Sequence, residues 1–514
     1  MSLVMFGGMM AQAGVQPGEN LQAILDRGDD LALQKGAVYS IQQPLKYQKA
    51  GQKIFTAGAT NLSDYATLLL VSSNTLQILN ASGVPGATLE RVIVDGNRYR
   101  LSAPHKLPKE PQVPMTAFGG KGAEGQIIRN NLLRGTRSWS SMQIREGGNH
   151  ILVENNIVFG AGVDPRGNGR EAHEVPFAWS DGFSCAAQNT IIRNNLILDP
   201  TDVGIVLYGA PGSLAEGNVI ASVSRESLGG INMVDPLPPY LMKGSTNRFD
   251  YQGDVVRDNF IVALGARIHI GVPMGGPIWG PRSLGTVLVG AEVHGNTMAG
   301  GAAAYGFVVN GVDQFHVYDN HSIASYSGLG EGLKAGNPPD EPGPFLFDPK
   351  QIGESQLQDE FKPCSKYLVH LLRANHGQTN ALGYRVYAYG EAEAKATVTT
   401  AYLEILQRVP NAVELAGQVQ WLQTGKQTAD ELRRQLMQSD EFVRRFGNVA
   451  VDDLQLYRQK LWFDLLNAEQ RKANGSEPAA LTLFKGALSK LADGIDVLAN
   501  ESDSDRNHPI YGLR

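Results

Sequence analysis

The chain has 514 residues with 45 Lys and Arg against 51 Asp and Glu, a formal net charge of -6 and an isoelectric point near 6.0. That balance excludes the basic excess with which a protein neutralises nucleic-acid phosphates, and no run of about 18 apolar residues exists to span a membrane as a helix. With 59 glycines, 8% aromatic and 19% charged residues, the composition suits many short strands and turns, so a mainly β class is expected.

Residues 1–19 read as a leader or remnant: Met1 to Gly14 is apolar and contains Ala11-Gln12-Ala13, similar to the small-residue end of an export signal, but lacks a positive start. Gly18 to Asp26 then has the spacing of a short amphipathic helix, an N-terminal cap over the open end of a strand stack. The stack itself is announced by a repeat. Arg129-Asn130-Asn131, Glu154-Asn155-Asn156, Arg193-Asn194-Asn195, Glu216-Gly217-Asn218, Arg257-Asp258-Asn259, His294-Gly295-Asn296 and Tyr318-Asp319-Asn320 share one form, and Val94-Asp95-Gly96-Asn97 reads as an earlier copy. The closing Asn residues are 25, 39, 23, 41, 37 and 24 positions apart, a unit of about 24 lengthened three times by insertion, and such periods mark solenoids. Each period holds a second strand led by glycine, as in Asp181-Gly182-Phe183-Ser184-Cys185, Gly204-Ile205-Val206-Leu207, Gly230-Ile231-Asn232-Met233 and Gly306-Phe307-Val308-Val309. Two or three short strands per coil make a right-handed parallel β-helix over residues 20–325, in which stacked Asn amides bridge neighbouring coils as a ladder.

Insertions in a solenoid project from one side and form its binding face. The first, 160–179, holds Asp164, Arg166, Arg170, Glu171, His173, Glu174 and Trp179. The second, 234–252, holds Asp235, Tyr240, Lys243, Arg248, Asp250 and Tyr251, and the third, 271–284, holds Trp279 and Arg282. Aromatics interleaved with both signs of charge are what a carbohydrate site uses, so Arg170, His173, Trp179, Arg225, Asp235, Tyr240 and Trp279 are candidates for substrate binding; solvated loop sequence is the alternative. Beside the loops stand Asp181 and Asp202, 21 residues apart and so on adjacent coils. Two carboxyls one coil apart can divide into an acid and a base or nucleophile, although their offsets from the strand glycine differ by one, and turn capping is the competing role. Arg267 and His269 alternate with apolar residues and share a strand face, one able to grip a carboxylate and the other to exchange protons. Two cysteines, Cys185 and Cys364, are too few for a disulfide framework, and Cys185 sits in a strand pattern as a buried thiol.

The Asn-terminated coils resemble the pectate-lyase-like β-helix superfamily over residues 20–325. Ser180-Asp181-Gly182, Asp202 and Arg267-Ile268-His269 are similar to three motifs of its polygalacturonase-type hydrolases, but a second Asp and a Gly-His-Gly are missing and His269 stands where that group has lysine. The stretch from Thr201 through Gly229-Gly230-Ile231-Asn232-Met233-Val234-Asp235 to Gly275 looks like secreted β-helix proteins with no assigned activity. The resemblance implies an extracellular polysaccharide-acting protein, a lyase or glycoside hydrolase on an acidic polymer. In the lyase form a basic residue removes the proton α to a uronate and a cation neutralises the carboxylate, which makes Lys243, Arg225 and Arg267 candidates for base or clamp and Asp181, Asp202 and Asp235 candidates for holding Ca2+.

Beyond the coils, 326–392 is Gly- and Pro-rich around Gly336 to Pro344 and reads as a linker or strap. Residues 393–500 become helical, over Thr399 to Gln407, Ala412 to Gln423 and Thr428 to Met437, before a tail at 501–514. Tyr402-Leu403, Leu406, Arg408-Val409-Pro410, Leu415, Trp421-Leu422, Gly425 and Ser439-Asp440-Glu441-Phe442 resemble the small phycobilisome-linker-like domain of secreted bacterial proteins. It implies surface retention or self-assembly, and with it a second function for the whole chain, a non-enzymatic adhesin or matrix component.

Overall fold

The computed structural model describes residues 14–101, 113–162, 179–222, 226–263, 267–279, 285–300, 303–326, 328 and 342–364, the pairs 378–379 and 385–386, and parts of 390–446. The expected leader up to residue 13, Asp164, Arg166, Arg170, Glu171, His173, Glu174, Arg225, Arg282, the tail and most of the helix at 428–437 lie outside the described residues.

Three long parallel sheets run side by side, and each strand hydrogen-bonds to its counterpart in the next coil, three places on in the chain through the early coils and four in most of the later ones. The first runs from Leu31–Leu33 to Gln356–Leu357, the second from Val38–Ile41 to His321–Ser322 and the third from Leu45–Lys46 to Lys362–Pro363. This is a parallel β-helix, with the right-handed crossover that twisted parallel strands favour. The helix Leu21–Asp26, N-capped by the Asn20 side chain, buries Leu21, Ile24 and Leu25 against the first coil. It shields apolar core and strand edge that the first coil would otherwise expose.

Each coil buries one aliphatic stripe per sheet. The second and third sheets approach closely through the strand glycines: a Cβ at Gly204 would stand 2.7 Å from the Gly230 carbonyl oxygen and 2.7 Å from Ile220 Cγ2. At the corner between the first two sheets lies the Asn ladder. Asn156 Oδ1 accepts from the Asn131 main-chain N–H (3.1 Å) and Nδ2 (3.0 Å), while Asn156 Nδ2 donates to Asn195 Oδ1 (3.0 Å) and the Ile128 carbonyl (3.0 Å). The pattern continues through Asn195, Asn218, Asn259, Asn296 and Asn320 and closes on Gln358 Oε1. Every residue preceding a ladder Asn has a positive φ, from 53° at Asp319 to 65° at Gly295. Asn, Asp and Gly adopt that turn most readily, which accounts for the first letter of each pair. Outside the same corner Glu90, Arg129, Glu154, Arg193, Glu216 and Arg257 stack in register with alternating charge, paired at 2.7–3.0 Å, and His294 and Tyr318 end the column as stacked rings.

Two boundaries differ from the sequence reading. Asp95-Gly96-Asn97 belongs to a different corner: Asp95 pairs with Arg134 across the second sheet and Asn97 Nδ2 donates to the Leu70 carbonyl, while the true counterpart of the repeat is Glu90-Arg91-Val92. The coils also run past 325, since Phe345–Phe347, Gln356–Leu357 and Lys362–Pro363 join the sheets and the Phe345 ring stacks on Phe307. The second insertion contributes to a small sheet, in which Arg248–Asp250, Val287–Val289 and Val312–Asp313 pair in parallel. Further on, the helices Glu391–Leu406, Ala412–Gln423 and Asp440–Phe446 pack around Val398, Tyr402, Ile405, Leu422 and Phe442, with Arg408 gripping both Glu414 and Glu441.

Removing one rung separates the two ladders. Asn195→Ala strands partners on both neighbouring coils and is expected to cost about 2–4 kcal/mol, whereas Arg193→Gln on the exposed column costs about 0–1 kcal/mol. Denaturant midpoints of the two variants check this; the reverse order would remove the Asn ladder from its stabilising role.

Candidate active site

Asp181 lies on the third sheet, and Asp202 immediately precedes the next strand of that sheet, Val203–Leu207. Asp181 opens the strand Asp181–Cys185, and Phe183 pairs with Ile205, so Asp181 lies opposite Val203 and Asp202 is one residue out of register with it. The offset does not separate them electrostatically. Asp181 is 3% exposed; Ser184 Oγ lies 2.7 Å from its Oδ2 and 2.7 Å from Ser140 Oγ. Burial, then the neighbouring charge of Asp202 and that of Asp235, drive its carboxyl well above the usual range, against the opposing hydrogen bonds from Ser184 and the Val203 amide. Asp202, half-buried, is pushed up to about 7 by burial and by Asp235. Asp235 is exposed at the surface, and the desolvation of its carboxyl raises it to about 6. Tyr208, at the end of the strand Val203–Leu207, is raised by burial and by the charges of all three carboxylates. Three successive coils therefore bring the acids close enough for the charges of Asp202 and Asp235 to act on Asp181, and for all three to act on Tyr208.

Arg267 and His269 both meet Glu226. Arg267 Nε lies 3.9 Å from Glu226 Oε1 and His269 Nε2 lies 3.3 Å from Glu226 Oε2, with Glu226 and His269 both buried. Arg267 Nη1 also donates to the Gly328 carbonyl (3.1 Å). Glu226 holds both side chains, and it was not singled out from the sequence; neither was Tyr208. Aligning coils on the strand glycine would have found Glu226, which is four residues before Gly230 as Arg267 is four before Gly271.

Other candidates are placed differently from expectation. Tyr240 is buried, with its hydroxyl donating to the Ala186 carbonyl, and Tyr251 donates to the Leu207 carbonyl (3.0 Å), so both rings pin the second insertion onto the coils. Lys243 is exposed on a turn and is not among the groups that shift Asp202 or Asp235. Trp179 is half-buried beside Ser180, and Trp279 packs against Ile270, Tyr305 and Val308. Among the described residues no group of three or more Asp, Glu, His or Cys side chains is placed to hold a metal ion. The Cys185 thiol is buried and pushed up to about 12.

No protein-family model matches the chain, and no curated protein is significantly similar to it. Solved structures with similar coordinates include the A-module of the mannuronan C-5 epimerase AlgE4 of Azotobacter vinelandii, at 14% identity over 67% of this chain and 98% of that one (TM-score 0.30). They also include the catalytic domain of a GH87 alpha-1,3-glucanase with nigerose bound, at 13% over 68% and 67% (0.33), and the Streptococcus pneumoniae surface protein and adhesin PfbA, at 11% over 67% and 98% (0.35).

The raised acids predict a pH-dependent stability. The folded chain keeps the Asp202 proton to about pH 7, while the unfolded chain loses it near 3.8. Between those values the unfolded state releases a proton that the folded state retains, so stability falls as pH rises and levels above 7. Asp202→Asn is expected to raise the thermal midpoint at pH 8 and leave it nearly unchanged at pH 3.5; an equal shift at both values would show that the carboxyl is not held protonated.

Proposed function

We propose that this protein is an extracellular glycoside hydrolase that cleaves a polysaccharide at Asp181, Asp202 and Asp235. The observation that carries the reading is the set of three carboxyls from successive coils, all raised towards neutrality and within reach of one another's charge. Hydrolysis of a glycosidic bond needs one carboxyl that still holds a proton and one that has lost it. Asp202, at about 7, is the donor: its proton passes to the glycosidic oxygen as the bond from that oxygen to the anomeric carbon breaks. Asp235, at about 6 and open to solvent, is the ionised partner that takes a proton from the attacking water as its oxygen joins the anomeric carbon. Asp181 keeps its own proton and, through Ser184, orders the floor of the site.

Elimination is the less favoured chemistry. It requires a cation at the uronate carboxylate to hold charge in the intermediate, and Arg267 is engaged by Glu226 and the Gly328 carbonyl.

The reading predicts new reducing ends, without unsaturated-uronate absorbance, from at least one member of a panel of neutral and acidic polysaccharides. The pH–rate profile should be a narrow bell whose limbs fall near 6 and 7, the values of Asp235 and Asp202. Asp202→Asn should lower kcat/KM by about 10²–10⁴-fold, the range of general acid catalysis. Unsaturated products, or a variant as active as the parent, would overturn it.

A further inference from the structure

Three side chains on the outer side of the third sheet keep buried polar atoms without a hydrogen-bond partner: Asn232 through Oδ1, Asn310 through both Oδ1 and Nδ2, and Trp279 through Nε1. Asn232 is 4% exposed and Asn310 2%. Unpaired groups of this kind destabilise a fold and call for a reason. The contrast within this chain is sharp, because the amides of the corner ladder are paired coil after coil.

Strand register sets the three on one face. Val206 pairs with Asn232, the Met233–Met274 bridge brings Asn232 beside Pro273, and Pro273 pairs with Val308. Ser184, Val206, Asn232, Pro273 and Val308 thus lie in one outward column, which includes the serine that holds Asp181. Asn310 lies two residues beyond Val308 and points to the same side. Trp279 packs on the outer cluster of Ile270, Tyr305 and Val308. Asn232 leans back towards the acids: its Oδ1 lies 2.4 Å from where a Cβ on Gly229 would stand, and the Gly229 N–H donates to the Asp202 carbonyl (3.1 Å). Only glycine at 229 leaves room for that amide.

We propose that Asn232, Asn310 and Trp279 form a sugar-binding subsite adjoining the carboxylates, and that it takes an uncharged sugar unit. This rests on the reading of the acids as a glycan-cleaving centre. The chemistry of the donor set selects the ligand class. An amide offers one acceptor and two donors and an indole one donor and a ring face, with no formal charge among them. Such a set matches hydroxyl groups, which both donate and accept, together with the apolar face of a pyranose. It has no cation for a uronate carboxylate.

The test uses the full chain and two substitutions. Asn310→Leu replaces an unpaired amide by an apolar side chain of similar volume, and Trp279→Phe retains the ring while deleting the N–H. The expected result for Asn310→Leu is a thermal midpoint that holds or rises. For both variants KM on the glycan cleaved by the parent should rise tenfold or more while kcat falls less than threefold, the mark of lost binding shared by ground and transition states. Asn310→Ala, which cannot clash, carries the same KM test should the leucine misfold. A lower midpoint with unchanged KM would make Asn310 a structural residue and overturn the proposal. A separate arm keeps the two ideas apart: calorimetric titration of Asp202→Asn with neutral gluco-oligosaccharides and with oligouronates. Binding of the neutral set that is lost in Asp202→Asn/Asn310→Leu supports the subsite even if the parent cleaves nothing, in which case the hydrolase reading alone fails. Binding of oligouronates only, or of neither set, overturns the subsite.

Discussion

The structure depends on the buried Asn ladder at one corner of the solenoid. A coil that turns inward must satisfy main-chain groups where no water reaches, and an aliphatic residue there would leave them unpaired. Each ladder Asn spans three coils. Asn195, for instance, donates to the Val153 carbonyl below and to Asn218 Oδ1 above, while its own Oδ1 accepts from Asn156. Because the donors and acceptors of one rung are those of the next, a coil cannot slip by one residue without breaking bonds on both sides. The alternating Glu and Arg column outside the same corner reinforces the register, since a shift would set like charges together.

A fixed corner explains how insertions are tolerated. Ladder residues 41 positions apart, Asn218 and Asn259, are bonded as closely as those 23 apart, Asn195 and Asn218, at 3.0 and 2.9 Å. Extra sequence therefore leaves the coil through its other corners and the stack beneath is unchanged. The third sheet inherits this alignment, so carboxyls far apart in sequence arrive within reach of one another's charge at the height of successive coils. Their shared charge follows from geometry, without any acidic run in the sequence.

The solenoid was legible because its repeat is chemical as well as periodic: a residue able to take positive φ followed by an amide able to bridge. That two-letter signal also misled. Gly96-Asn97 obeys it at a different corner, where Gly96 closes against Gly135 and Asn97 caps the preceding coil at the Leu70 carbonyl. At the other end the signal fades too early, because Gln358 finishes the ladder in place of Asn and the last coils are held by Phe345, Phe347 and Phe361. Tyr208 and Glu226 escaped notice for a related reason. Their importance lies in neighbours one coil away, and lateral register is not visible until strands are aligned on their glycines. Tyr240 and Tyr251 show that aromatic residues in an inserted loop serve equally to anchor that loop.

Polar satisfaction is distributed unevenly around this solenoid. At the ladder corner bonds are made to near completion, and the energetic surplus of a long, repetitive stack accumulates there. Around the third sheet the same chain holds carboxyls against their preferred ionisation and keeps Asn232 and Asn310 unpaired. Local strain of this kind survives only where the surrounding structure over-determines it, and it gathers where a protein meets its ligand. A β-helix suits the arrangement because each coil is fixed by its neighbours and not by the face it presents. Residues on that face can then be chosen for chemistry, including protonation states that a smaller or less rigid domain would relax away.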